Sequence, residues 1–448
     1  MEYVIKNNSV QTGSGYLRNS SIQNQTDRVS YMIENMHKNH SYLYAADHCD
    51  SKDELLEKFK AKFAKYRKDW NRQPYDSIIK KKLGPELKES KSPPLCLDIE
   101  VASICDLACP FCFREFIATP DKIIDEKICY DLIDQAAELK IPSIKFNWRG
   151  EPLLHPKLPN FISHAKKRGI LDTIINTNAT TLNEKKCRQL IDAGLDYIIY
   201  SFDGGSKETY EKNRPGRFKQ NSFENVYENI KTLKKIKNEM NSPFPFTKIQ
   251  MILTKETFHE KDNFYKLFNN YVDDVTVNQY TERGGQLSDL DNKAMTEYEK
   301  IRKKHNLLIG APYMRDPEGR MFVSKRRKPC EQPYQRLLVT YEGRVAMCCY
   351  DWGASHPVGY VDKEAFSNKH VYEDVMKSAS NKKKGFELLS EIKMPKEFNN
   401  PALKVQSIED IWYGSEIDKV RSKHLSDEAD KLDVCKDCTF KDTYDWID

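Results

Sequence analysis

Three cysteines in one short segment have the spacing to hold a metal cluster. The segment reads Cys105-Asp-Leu-Ala-Cys109-Pro-Phe-Cys112 and directly follows a predicted strand. Soft thiolate ligands select zinc or iron–sulfur clusters. A structural zinc ion needs a fourth ligand to complete its tetrahedron, and the neighbouring sequence offers none, whereas a cubane held by three cysteines keeps one iron open for chemistry. The pattern therefore favours a [4Fe–4S] cluster, with zinc binding and chance burial of three cysteines as alternatives.

A second set of cysteines lies in the C-terminal part of the chain, at Cys330, Cys348, Cys349, Cys435 and Cys438. Two β-type runs, LLVTY and RVAMCC, flank Gly343 and predict a hairpin. Adjacent strand residues point to opposite faces, so one of Cys348 and Cys349 faces a cluster, and the spacing from Gly343 favours Cys348. With the other three cysteines this gives four thiolates, enough for a zinc ion or a [4Fe–4S] cluster. Spacing alone does not distinguish the two.

The elements that position these cysteines follow from the pattern between residues 95 and about 280. Short β-type runs alternate there with amphipathic helical stretches, which predicts a parallel sheet wrapped by helices. The six predicted strands are 95–101, 143–147, 172–177, 197–202, 247–253 and 275–278. Ligands of such sheets bind at the carboxyl ends of the strands, so each segment that directly follows a strand is a candidate site.

The cysteine loop after the first strand resembles the hallmark of the radical S-adenosylmethionine (SAM) superfamily. This resemblance covers about residues 95–280 and implies a partial six-unit β/α barrel. It implies that Cys105, Cys109 and Cys112 ligate a [4Fe–4S] cluster whose fourth iron chelates SAM. Phe111 would then lie near the adenine.

Other segments resemble further motifs of this superfamily. The resemblance assigns SAM binding to Phe111, Gly150, Glu151, Pro152, Thr177, Asn178, Ser201, Asp203 and Arg214. Arg149 stands where many relatives have glycine, so its side chain is expected to enter the pocket or to serve the substrate. The plainer interpretations are a strand-ending turn at Thr177, a turn hydroxyl at Ser201 and a solvated charge at Arg214.

The C-terminal region resembles the twitch form of the SPASM extension, including the segment Ile408-Glu-Asp-Ile-Trp412. This implies one auxiliary [4Fe–4S] cluster, ligated by Cys330, Cys348, Cys435 and Cys438. Four thiolates would leave no iron open, so electron transfer is the expected role. The resemblance also implies a flavodoxin- or ferredoxin-type electron donor as a partner, with electron delivery to the first cluster.

The predicted fold is α/β: a partial (β/α)6 TIM-like barrel with an N-terminal helical extension and a small C-terminal α+β iron–sulfur domain. The predicted boundaries are 1–94 for the extension, 95–285 for the barrel, 286–329 for a linker and 330–448 for the last domain. Within the extension, residues 52–73 predict an amphipathic helix with a core-facing stripe.

Bulk composition excludes several partner classes. A formal charge of +5, from 72 basic and 67 acidic residues, is too small to indicate nucleic-acid binding. The sequence contains neither a run of about 18 apolar residues nor a signal peptide. We therefore expect a cytoplasmic protein that binds neither nucleic acid nor membrane.

The resemblance implies an oxidoreductase-type enzyme that cleaves SAM reductively to a 5′-deoxyadenosyl radical and abstracts hydrogen from a substrate C–H bond. The first hypothesis for the substrate is a small polar metabolite such as a sugar or cyclitol, since relatives with one auxiliary cluster include cyclitol dehydrogenases. The second is a ribosomal precursor peptide or a protein side chain. The third hypothesis is a non-catalytic zinc or iron–sulfur electron carrier, which would not bind SAM. No residue is identified from the sequence as a catalytic acid or base.

Overall fold

The computed structural model describes residues 3–6, 9–11, 17–19, 41–45, 54–112, 114, 120–253, 257–279, 313–315, 321–323, 329–363, 365, 404–436 and 438. Its strands are β1 (Tyr3–Lys6), β2 (Ser9–Gln11), β3 (Leu17–Asn19), β4 (Ser41–Ala45), β5 (Cys96–Ile99), β6 (Ser143–Lys145), β7 (Asp172–Thr177), β8 (Tyr197–Ser201), β9 (Phe246–Leu253), β10 (Asp274–Gln279), β11 (Tyr313–Arg315), β12 (Met321–Val323), β13 (Arg336–Val339), β14 (Arg344–Ala346) and β15 (Pro357–Tyr360). Its helices are α1 (Glu54–Ile79), α2 (Gly84–Glu89), α3 (Glu126–Glu138), α4 (Leu158–Lys167), α5 (Glu184–Asp192), α6 (Lys207–Asn213), α7 (Phe223–Glu239), α8 (Lys261–Phe268), α9 (Gln332–Gln335), α10 (Ile408–Trp412), α11 (Ser415–Leu425) and α12 (Asp433–Lys436).

Ten of these strands form one sheet, in the order β15-β14-β13-β5-β6-β7-β8-β9-β10-β4. Strands β5 to β10 run parallel and alternate along the chain with helices. The six predicted strands are all observed, with ends within two residues of those predicted. This confirms the α/β class and the partial, TIM-like barrel. The sheet is open, because its edge strands β15 and β4 do not pair with each other among the described residues.

The outer face of the parallel strands is apolar, and the helices cover it. In α3, Ile128, Leu132 and Ala136 recur at helical spacing and are buried. They belong to the same hydrophobic cluster as Ile144 of β6 and Ile175 of β7. Burying a large aliphatic side chain stabilises a fold by roughly 1.5–3 kcal/mol. This cluster therefore fixes where each strand ends and where each following loop begins.

The inner face of the sheet is covered by α1 at its amino end. Phe63, Tyr66 and Trp70 of this helix are buried. They cluster with strand residues Leu95, Cys96, Ile174, Tyr197, Ile199 and Phe246. These residues lie before or within the amino-terminal part of their strands, so α1 closes that end of the barrel and leaves the carboxyl end for a site. The core-facing stripe predicted within residues 52–73 is confirmed, and the helix runs on to Ile79.

The sheet continues beyond both ends of the parallel set. At one edge β4 pairs antiparallel with β10. At the other, β13 pairs in parallel with β5 and begins the predicted antiparallel hairpin, whose turn contains Gly343 at a φ of +95°. Arg336 of β13 donates from Nη1 to Oδ2 of Asp98 in β5 at 3.0 Å. The C-terminal hairpin is thus hydrogen-bonded to the strand that leads into the cysteine loop.

Several sequence predictions fall on residues that the structure does not describe. Most of the predicted linker at 286–329 lies outside the described residues, and the predicted domain boundaries remain predictions. Among the described helices, none combines the length and apolar character needed to cross a bilayer.

Candidate active site

The loop that follows β5 brings the three cysteines of the first set together. Cys109 is buried, and Cys105, Phe111 and Cys112 are half-buried. The amide of Cys112 donates to the carbonyl of Cys109 at 2.9 Å and closes a tight turn around Phe111. Burial raises the pKa of Cys105 well above its ordinary value and the pKa of Cys109 to about 12. Cluster ligands are thiolates, so the positive charge of bound iron would have to offset the effect of burial on the pKa of these thiols.

Backbone hydrogen bonds hold the loop from two sides. The amide of Glu151, in the segment after β6, donates to the carbonyl of Ile104 at 2.8 Å. On the other side, the amide of Ala108 donates to the carbonyl of Pro215 at 2.9 Å. The cysteine positions are therefore set by the segments after β6 and β8 as well as by the loop itself.

Gly150 permits the close approach of the cysteine loop. A β carbon at this position would lie 2.4 Å from the carbonyl oxygens of both Ala102 and Ile104. Such a contact is impossible without moving the backbone of the loop. The glycine that the resemblance assigned to SAM binding is therefore also required for packing against the cysteine loop.

Glu151 joins the segments that follow β6 and β7. Its buried carboxylate accepts hydrogen bonds from Thr177 Oγ1 at 2.6 Å, from the Asn178 amide at 2.7 Å and from the Leu153 amide at 3.0 Å. Burial raises its pKa to about 7. Pro152 follows as the first residue of a short 3-10 helix. Three of the predicted SAM-binding residues thus contact each other, and a carboxylate has about four acceptor sites, which leaves room for a ligand.

Asn178 connects this carboxylate to the cysteine loop. Its Nδ2 donates to Oδ1 of Asp106 at 2.8 Å and lies 3.9 Å from Sγ of Cys105. Thr180 Oγ1 donates to the other oxygen of Asp106 at 2.5 Å. Asp106 was not among the predicted site residues, although its position between Cys105 and Cys109 is a signal that its carboxylate lies at the same site.

Asp203 and Arg214 form a buried ion pair beside the cysteines. Arg214 donates to Oδ2 of Asp203 from Nε at 2.9 Å and from Nη2 at 2.5 Å. The other carboxylate oxygen accepts from the Ile252 amide at 2.7 Å. The positive charge of Arg214 partly counters the effect of burial on the pKa of Cys109. Because its side chain is buried, Arg214 is not the solvated charge that was the plainer interpretation.

Ser201 stands at the end of a row of polar side chains on the inner face. Gln250 Nε2 lies 3.4 Å from Ser201 Oγ as a donor, and Gln250 Oε1 accepts from Asn278 Nδ2 at 3.0 Å. These residues belong to β8, β9 and β10, respectively. The row crosses three adjacent strands near their carboxyl ends, where a bound substrate would meet it.

Arg149 is engaged by the protein itself. Its guanidinium donates two hydrogen bonds to the carboxylate of Glu100, from Nε to Oε1 at 2.6 Å and from Nη2 to Oε2 at 2.7 Å. It also lies 4.4 Å from the centre of the Trp148 ring and donates from Nη1 to the Trp352 carbonyl at 3.4 Å. Arg149 was expected to enter the pocket or to serve the substrate; instead it connects β5, the β6 loop and the C-terminal segment.

Removing one partner of this buried pair is expected to destabilise the protein. Arg149→Met leaves the carboxylate of Glu100 buried without its counter-charge, and breaking such a pair costs roughly 3–5 kcal/mol. Urea denaturation at matched iron content measures the decrease in the free energy of unfolding. The matched control is the double variant Glu100→Gln/Arg149→Met, which removes both charges and should recover part of the lost stability. A single variant as stable as the original protein would contradict this prediction.

Four of the five cysteines of the second set line one cavity. Its lining contains Cys330, Cys348, Cys435 and Cys438, together with Gln332, Pro333, Met347, Tyr350, His424 and Val434. In the described part of the chain, no three Cys, His, Asp or Glu side chains converge closely enough to ligate one metal ion.

Cys349 lies outside this lining, in agreement with the choice of Cys348. Strand alternation does not explain the difference, however, because β14 ends at Ala346 and both cysteines lie in the turn that follows it. The thiol of Cys349 donates to Oε1 of Gln332 at 3.4 Å, and the carbonyl of Cys349 accepts from Trp148 Nε1 at 3.2 Å. Its neighbour Cys348 borders the cavity and is buried. The structure thus separates the two adjacent thiols by environment.

Residues 99–268 match the family model described as the radical SAM superfamily. This chain carries a radical SAM domain. Radical SAM enzymes use SAM and a [4Fe–4S] cluster, and the three-cysteine loop with its converging polar residues has the donor set that fits them.

Curated relatives resemble parts of this chain. The tungsten-containing aldehyde ferredoxin oxidoreductase cofactor-modifying protein of Pyrococcus furiosus is 27% identical over 189 residues, 40% of this chain and 50% of the relative. GTP 3′,8-cyclase of Chlorobaculum tepidum is 34% identical over 123 residues, which are 27% of this chain and 37% of the relative. PqqA peptide cyclase of Gluconobacter oxydans is 33% identical over 112 residues, which are 25% of this chain and 31% of the relative. The chain thus spans half or less of the length of these relatives.

Among solved structures, Streptococcus suis SuiB bound to the precursor peptide SuiA aligns with a TM-score of 0.46 at 16% identity. That alignment covers 84% of this chain and 74% of SuiB.

Proposed function

We propose that this protein is a radical SAM oxidoreductase with one auxiliary [4Fe–4S] cluster that acts on a small polar metabolite, such as a sugar or cyclitol. The observation that carries the proposal is the convergence of Cys330, Cys348, Cys435 and Cys438 on one cavity. Strand β13, which lies between Cys330 and Cys348 in the chain, pairs directly with β5. Four thiolates would close the cluster to substrate, which favours electron transfer as its role.

Within this proposal each part of the chain has a defined task. Cys105, Cys109 and Cys112 would hold the first cluster, and the residues around Glu151 and Arg214 would bind SAM. When bound, the cluster and SAM supply reductive cleavage of SAM and hydrogen abstraction from a substrate C–H bond. The protein orients that bond and excludes water. Helix α1 supports the second task, because it closes the amino end of the barrel with buried aromatic side chains.

The inner face of the sheet supports a polar substrate. Oδ1 of Asn176 is buried and has no hydrogen-bond partner among the described residues. Lys145 and Lys248 belong to β6 and β9 and lie on the same face of the sheet. Burial lowers the pKa of Lys145, and lowers that of Lys248 to about 8 while Asp274 opposes the change. Unpaired buried polar groups are costly, and hydroxyl or anionic groups of a substrate would satisfy them.

Peptide modification is the second candidate. It is favoured by the similarity to PqqA peptide cyclase over 112 residues. It predicts that a precursor peptide, and no free metabolite, stimulates SAM cleavage. Incubation with each substrate class therefore separates the two candidates.

Anaerobic metal analysis tests the proposal directly. We expect about eight irons per chain and a reduced EPR signal that changes when SAM is added, as two [4Fe–4S] clusters require. Assays should detect 5′-deoxyadenosine. About four irons with SAM cleavage would remove the auxiliary cluster from the proposal. Zinc without SAM binding would instead support the non-catalytic alternative.

A further inference from the structure

A buried histidine lies between two cysteines of the C-terminal cavity. His424 occupies the last turn of α11, is 3% exposed and borders the cavity. Its Nδ1 accepts a hydrogen bond from the backbone amide of Cys330 at 3.4 Å. Its Nε2 lies 3.6 Å from Sγ of Cys435. The imidazole therefore bridges two segments, each of which supplies cysteines to the cavity.

The hydrogen-bonding pattern fixes the direction of the second contact. A backbone amide is always a donor, so Nδ1 of His424 must present its lone pair to Cys330. In a neutral imidazole with Nδ1 as acceptor, the proton sits on Nε2. Nε2 therefore donates its N–H toward the sulfur of Cys435.

Helix α11 is held firmly enough to keep this geometry. The fully buried Arg421, one turn before His424, donates from Nη1 to the Trp412 carbonyl at 2.8 Å and from Nε to the Pro333 carbonyl at 3.1 Å. Pro333 itself borders the cavity. These hydrogen bonds join α11 to α9 and α10, so buried contacts fix the orientation of the His424 ring.

We propose that His424 is a positioning residue for the auxiliary cluster, whose N–H donated to Cys435 makes that cluster easier to reduce. The inference rests on the proposed function, because it requires a cluster at these cysteines. Hydrogen bonds to cluster sulfurs are among the factors that set reduction potential. The positive end of the N–H dipole stabilises the electron added on reduction, so removing the donor lowers the potential. His424 adds no ligand, since four thiolates already complete the set.

Potentiometric EPR titration of the reconstituted full-length protein tests the inference. His424→Leu removes the donor, and we expect the equilibrium constant for reducing the auxiliary cluster to fall about tenfold, or about 59 mV for one electron. His424→Gln keeps an N–H donor and should retain most of the original potential. The control is His164→Leu, which alters a half-buried histidine of α4 paired with Asp134 and should leave both potentials unchanged.

A measurement on the unaltered protein complements the variants. With [15N]histidine, pulsed EPR of the reduced auxiliary cluster should show one weak nitrogen coupling, as expected for a hydrogen bond to sulfur. A strong coupling would mean that His424 ligates iron, and no coupling would mean that the contact is not made; either result overturns the inference. An unchanged reduction potential in His424→Leu, with about eight irons per chain present, would also overturn the inference. About four irons per chain in the unaltered protein would instead contradict the proposed auxiliary cluster itself.

Discussion

Replacing Cys105, Cys109 or Cys112 with alanine is expected to abolish formation of 5′-deoxyadenosine. Each substitution removes one of three thiolates from a cluster that already leaves one iron without a protein ligand, and two thiolates do not hold a cubane. Iron content should fall from about eight to about four per chain, with the loss confined to the cluster whose EPR signal responds to SAM. Iron analysis, EPR with SAM and the 5′-deoxyadenosine assay measure the three effects together.

The matched control is another buried cysteine. Cys187→Ala changes a side chain that lies in α5 within the hydrophobic core and contacts the Leu182 carbonyl at 3.9 Å. It should keep both clusters and SAM cleavage. SAM cleavage at the original rate in the Cys105 variant would refute the assignment of the cysteine loop.

Local patterns predicted the parallel core because each of its strands is a short apolar run between helices. Such runs can be identified without knowledge of distant residues. The choice of Cys348 over Cys349 agrees with the cavity lining, but its reason was wrong, because β14 ends at Ala346 and neither cysteine lies in a strand. The predicted amphipathic helix within residues 52–73 followed in the same way, although the surface that it covers did not.

What the sequence did not predict depends on contacts between distant segments. The pairing of β13 with β5 joins residues about 240 positions apart, as in the bond from Arg336 to Asp98, and parallel pairing leaves no local turn signal. Arg149 was interpreted from its motif alone, whereas its partner Glu100 lies 49 residues away. His424 was not singled out, because a lone histidine on a helix has no local pattern that reveals a cysteine beside it.

Cys348→Ala and Cys349→Ala are expected to differ sharply although the two residues are adjacent. The first removes a thiol that borders the C-terminal cavity, so the auxiliary cluster should be lost and iron should fall from about eight to about four per chain. The second removes a thiol that lies outside the cavity and contacts Gln332, so both clusters should remain. Iron analysis and EPR compare the variants under identical reconstitution.

The same pair separates the tasks of the two clusters. In Cys348→Ala the cysteine loop is intact, so the SAM-dependent EPR signal and 5′-deoxyadenosine formation should persist while oxidation of the substrate fails. Loss of SAM cleavage in this variant would show that the auxiliary site feeds electrons to the first cluster rather than accepting them from the substrate. Iron loss in Cys349→Ala instead of Cys348→Ala would reverse the ligand assignment, because Cys348, and not Cys349, borders the cavity with Cys330, Cys435 and Cys438.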